Sequence, residues 1–164
     1  MRPFATLPDD DCTPLLPRVD FSDSFALDVP EVLDAPEVAR RAFSRMPGWI
    51  SRLTALRNAM VAPFGLKPGA EAAQMPDQNP RKNLAPSLGM FPVLSSTPAR
   101  VVLGFDDRHL DFRIVVDVRA RPAGRRVTVT TLVARHNLFG RLYLAAVMPF
   151  HKRIVPAVLA QVSK

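Results

Sequence analysis

Two stretches of alternating side chains, separated by a turn, constrain this chain most. In "HLDFRIVVDV", residues 109–118, one row is Leu110, Phe112, Ile114, Val116 and Val118, and the other is His109, Asp111, Arg113, Val115 and Asp117. A period of two is the mark of a strand with one apolar face. After a turn at Pro122-Ala123-Gly124 comes "RRVTVTTLVARH", residues 125–136, whose β-branched content suits a second strand. Paired around that turn, the apolar row shares a face with Val127, Val129, Thr131 and Val133. His109, Asp111 and Arg113 then share the other face with Thr128, Thr130, Leu132, Ala134 and His136. A slip by one residue would mix the two sets, so the pattern itself sets the register. The hairpin needs something apolar to cover its inner row.

The C-terminal stretch "LFGRLYLAAVMPFHKRIVPAVLAQVSK", from Leu138 onward, supplies it. At about 100° per residue, Tyr143, Leu144, Val147, Met148, Phe150, Ile154, Val155 and Val158 cover more than half of a helix, and Arg141, Lys152 and Arg153 crowd the rest. This predicts a buried helix with a narrow wet stripe on which Pro149 and Pro156 fall, where they let it bend. Asn137, just before it, suits an N-cap.

Upstream, residues 1–19 hold four prolines among acidic residues and read as an irregular surface arm. "DFSDSFALDV" places Phe21, Phe25, Leu27 and Val29 at even spacings, a first strand. Asp34 then caps a helix with Pro36 in its first turn and Val38, Ala42 and Phe43 on one face. Pro47-Gly48 ends it. A second short helix is expected from Trp49, Ile50, Leu53, Leu56, Met60 and Val61, stopping at Pro63 and Gly65. Residues 66–88 have no period and four prolines, a long loop and a candidate lid. "GMFPVLSS" and "ARVVLGF" complete the strands before residue 109.

The 164 residues fit one domain from residue 20 onward, able to bury a core without staples. One cysteine, Cys12, makes no intramolecular bridge and points to a reducing compartment, by default the cytoplasm. The N-terminus lacks the apolar core of a secretion signal, and no window reads as the roughly 18–20 apolar residues of a membrane span, so a soluble protein is expected, with no stable membrane insertion. The net charge of +7 raises nucleic acid as a partner. The charge is nevertheless mostly single arginines without a basic run or a nucleic-acid-binding motif. Arginine, alanine and 17 prolines are also what a GC-rich, bacterial genome writes. No nucleic-acid partner is expected.

Strand, two helices, antiparallel strands and a long terminal helix is the order in which a curved sheet grips one helix. The fold class expected is α+β. The order resembles the helix-grip fold of the START and Bet v 1-like (SRPBCC) superfamily. More closely, "PGWISRLTALRN", "FGLK", "HLDFR", "TT", "RHNLFGRLY" and "PFHKRIVP" resemble DUF2867, a family of unknown function, over roughly residues 20–160. The resemblance implies a fold and a pocket for an apolar molecule, with no assigned reaction.

His151 carries the most chemical weight, because its helical neighbours Leu144, Val147, Val155 and Val158 are all apolar. A buried imidazole needs a hydrogen-bond partner; in a cavity it would hold a ligand's polar head or act as a general base. Tyr143 is a second polar candidate. The expected cavity is lined from the sheet by Leu110, Phe112, Ile114 and Val116 and from the helix by Tyr143, Val147, Phe150, His151 and Ile154. The expected partner is a hydrophobic or amphipathic small molecule, without a cofactor. An enzyme of cyclase, dehydratase or hydrolase type, using His151 or a His109/Asp111/His136 cluster, is the alternative, and that cluster is also the only candidate metal set. Arg113 beside Asp111 reads as a neutralised pair. "FGLKPG" matches no phosphate-binding pattern, and Cys12 on a loose arm is a poor nucleophile.

Overall fold

In a computed structural model that describes residues 2–43, 87–88 and 91–163, the alternating hairpin lies at the centre of a curved antiparallel sheet. The strands are β1 (Phe4–Thr6), β2 (Phe21–Val29), β3 (Ser87–Leu88), β4 (Phe91–Ser96), β5 (Arg100–Asp106), β6 (Leu110–Arg121) and β7 (Gly124–Arg135). Their order is β1-β2-β7-β6-β5-β4-β3. Phe112 faces Val133, Ile114 faces Thr131, Val116 faces Val129 and Val118 faces Val127, the register that the alternation dictates. Gly124 closes the turn at φ 127°, where a Cβ would stand 2.1 Å from the Val29 carbonyl oxygen. Among the described residues two α-helices flank the sheet, α1 (Ala35–Phe43) and α2 (Leu138–Leu159), the latter extended by a 3-10 turn over Ala160–Ser163. The fold is α+β. The expected second helix and residues 66–86 lie outside the described residues, and the last two positions of the expected loop, Ser87 and Leu88, form β3.

The inner face is covered by α1 and the end of α2. Asp34 Oδ1 accepts the Glu37 N–H at 2.8 Å, capping α1 and orienting Val38, Ala39, Ala42 and Phe43 onto Leu27, Val29, Val101, Val116 and Val127. Val158, Leu159 and Val162 close the same core. Asn137 caps α2 by accepting the Gly140 N–H at 3.0 Å. Gly140 allows the start of α2 to approach the β5–β6 loop, since a Cβ there would lie 2.3 Å from the His109 carbonyl oxygen.

The terminal helix departs from expectation in its burial. Of α2 only Gly140, Val158 and Leu159 are buried, while Leu138, Leu142 and Phe150 are exposed. A helix lying on one face of a single sheet has one covered side, so apolar residues around more than half its circumference cannot all reach the core. With its 3-10 extension, Leu138–Ser163 reaches a mean hydropathy of 1.2 with 11% of that window buried, and is long and apolar enough to cross a membrane by length and composition. This corrects the expectation that no such window exists; one such helix is weak evidence for a span, because core helices of soluble proteins pass the same test.

The outer face is a second core rather than a wet one. The expected irregular arm is ordered over residues 2–19: β1 pairs with β2, and a 3-10 helix at Asp10–Leu15 places Cys12 and Leu16 over Val102, Val115, Leu132 and Ala134. Asp117, on the row shared with His109 and Asp111, is buried there and receives Arg100 Nε at 2.7 Å. Arg100 also reaches Asp11 at 2.9 Å, tying the segment to β5 and β6. Burial, and next the Asp117 carboxylate, push the Cys12 thiol up to about 11. In the folded protein at pH 8, iodoacetamide should therefore alkylate Cys12 more slowly than in the urea-unfolded chain by more than about tenfold; equal rates would mean that the segment does not hold Cys12 closed.

Candidate functional site

His151 sits at the centre of the covered arc of α2, where its apolar neighbours at four and seven residues place it against the sheet. Its partner comes from β2: His151 Nε2 and Asp23 Oδ1 are 3.1 Å apart, with both side chains 18% exposed. The Phe21 ring meets the imidazole edge-on at 6.2 Å between centroids. Asp23 Oδ2 is buried and has no hydrogen-bond partner. Among the described residues nothing bonds His151 Nδ1.

The register explains what surrounds them. Asp23 faces Thr131, Thr131 faces Ile114 and Ile114 faces Leu103, so Asp23 and Thr131 lie in one cross-strand row with two aliphatic residues. On one side runs the fully packed row of Val129, Val116 and Val101. On the other runs Phe21, Val133, Phe112 and Phe105, with Phe112 edge-on to Phe105 at 4.3 Å and to Phe91 at 5.6 Å. Phe21, Phe105, Phe112 and Ile114 are only partly buried, and so are Tyr143, Val147 and Ile154 on α2. The inner face is sealed at the α1 end and less covered around Phe112.

Of the residues expected to line a cavity, Phe112, Ile114, Tyr143, Val147, His151 and Ile154 belong to the partly buried positions, Ile114 and Ile154 packing against the α1 core. Val116 does not: it is fully buried in the closed core, because α1 reaches its row. Leu110 is buried too, and Phe150, 100° round the helix from His151, is 40% exposed. The hairpin cluster comes together only in part. His136 Nε2 lies 3.0 Å from Asp111 Oδ2, whereas His109 Nδ1 lies 2.9 Å from Asn137 Nδ2 and its ring stacks obliquely on Phe139. Among the described residues no three His, Cys, Asp or Glu side chains are grouped to hold a metal. Arg113 pairs with Asp106 at 2.7 Å rather than with Asp111, whose partner is His136. A separate groove of about 500 Å³ at the hairpin-turn end, lined by Val32, Leu33, Glu37, Pro98, Val118 and Arg125, contains none of the expected residues.

The model of a family described as "Protein of unknown function (DUF2867)" matches residues 15–158. The chain belongs to DUF2867. The DUF2867 match begins inside the 3-10 helix and ends at Val158, and so spans both Asp23 and His151. No curated protein and no solved structure matches the chain. Asp23 is the site residue that reading the sequence missed. Its signal was present: a carboxylate between Phe21 and Phe25 on the inward, even-spaced row of the first strand.

Proposed function

We propose that this DUF2867 protein binds a hydrophobic or amphipathic small molecule between the sheet and α2, in a helix-grip arrangement of START/Bet v 1-like (SRPBCC) type. The observation that carries the reading is the Asp23–His151 pair, set in an apolar inner face that the described helices cover only in part. Apolar walls with a few convergent polar groups are the usual makeup of small-molecule sites. His151 and Asp23 hold the ligand's polar end through Nδ1 and Oδ2, while Phe112, Ile114, Val147 and Ile154 contact its apolar part. The chain order supports the architecture, since β2 pairs antiparallel with β7 and α2 follows β7 directly. On this reading the protein works in the cytoplasm, without nucleic acid or cofactor.

Native mass spectrometry of the protein purified from cells, followed by denaturing extraction, tests it. A co-purifying organic mass is expected, and its release should follow from Phe112→Trp or Ile154→Trp with the fold kept. A clean apo mass together with no uptake of added amphipaths would overturn the reading.

One observation favours a second reading, catalysis by the same pair. A carboxylate that accepts from His151 Nε2–H fixes the tautomer that leaves Nδ1 basic, the arrangement of an oriented general base. An enzyme of this kind would lose turnover in His151→Gln while still binding its substrate.

A further inference from the structure

The side of α2 turned away from His151 is apolar and has no acidic residue. Leu138, Leu142, Ala145 and Pro149 recur at i, i+4, i+7 and i+11, which places them in one stripe opposite the imidazole. All four are exposed, Leu138 at 70% and Leu142 at 63%. Arg141, Lys152 and Arg153 flank the stripe, are exposed, and make no ion pair among the described residues. From Leu138 to Ser163 there is no Asp or Glu. The β5–β6 loop, which meets the start of α2 through His109 and Phe139, does carry carboxylates, but these are engaged: Asp106 by Arg113 at 2.7 Å and Asp107 by the His109 N–H at 3.3 Å.

We propose that this face of α2 docks the protein on anionic lipid membranes, with the leucine stripe at the headgroup boundary and the three cations on the lipid phosphates. Exposed leucines bordered by lysine and arginine are what an interfacial helix presents. The charges decide between occupants: a second copy meeting the same face would set Arg141, Lys152 and Arg153 against their own kind, whereas an anionic surface complements them. The His151–Asp23 bond and the core contacts of Val158 and Leu159 keep the helix on its sheet, so it lies on the bilayer rather than crossing it.

Sedimentation with vesicles of phosphatidylcholine alone or mixed with phosphatidylglycerol tests this on the full chain. Binding is expected only to the mixed vesicles, weaker at high salt, and reduced by more than about tenfold in Leu138→Glu/Leu142→Glu and in Lys152→Glu/Arg153→Glu, with melting unchanged. Single Leu142→Gln and Lys152→Gln variants serve if the doubles fail to fold. No binding to the mixed vesicles would overturn the proposal. So would binding that survives the leucine changes, which would assign it to the basic balance of the whole chain, or a dimer in sedimentation velocity that Leu142→Gln dissociates.

Discussion

Arg100→Met is expected to destabilise the fold by about 3 kcal/mol, read as a shift in urea midpoint at constant slope. Asp117 is buried beneath the N-terminal 3-10 helix, and Arg100 is the cation that pairs with it, through Nε at 2.7 Å and the terminal nitrogen at 3.1 Å. Removing one partner strands a carboxylate in a core that contains Cys12, Val115 and Leu132; removing both, as in Arg100→Met/Asp117→Leu, should recover most of the loss. If the double variant is as unstable as the single one, packing rather than charge holds the segment. Arg100 also holds the Asp11 carboxyl below its usual range, chiefly by a hydrogen bond. A depressed carboxyl contributes stability above its unfolded value near pH ~4 and loses it as pH falls through the lower folded value. Wild type should therefore weaken on acidification below that point more steeply than the variant.

His151→Leu should cost about 2 kcal/mol, because it takes the partner from a carboxylate whose other oxygen is already buried and unpaired. An inert replacement, which an isolated imidazole in an apolar arc would allow, is not expected once Asp23 is seen to face it at 3.1 Å. Asp23→Leu/His151→Leu should regain stability but lose the polar end of the site. Titration with the amphipathic dye anilinonaphthalene sulfonate should then show affinity altered by about tenfold or more relative to Phe112→Leu, which changes only the apolar wall. Unaltered dye binding in the double variant would remove the pair from the site.

Period-two runs were the most legible part of this chain. They gave the β6–β7 register residue by residue, because each inward position had only one way to reach the core. Caps were legible for a similar reason, as Asp34 and Asn137 are short polar side chains at abrupt changes of period. Burial on α2 was not legible, since a helical wheel counts apolar residues but says nothing about how many sides have neighbours. The outer face misled in the opposite sense: His109, Asp111, Arg113 and Asp117 mark a row as polar, yet Val115, Leu132 and Ala134 on the same face needed a cover, which the proline-rich N-terminus provides. Asp23 and His151 lie 128 positions apart, and no local pattern joins them.

If the proposed binding of a small molecule holds, the two-sided packing of the sheet has a consequence for how the protein tolerates being empty. Its central strands are anchored from behind by Cys12, Leu16 and the Arg100–Asp117 pair, independently of what rests on the Phe112 side. A sheet braced in this way keeps its shape whether or not a guest is present, so loading and unloading need not be coupled to folding and unfolding.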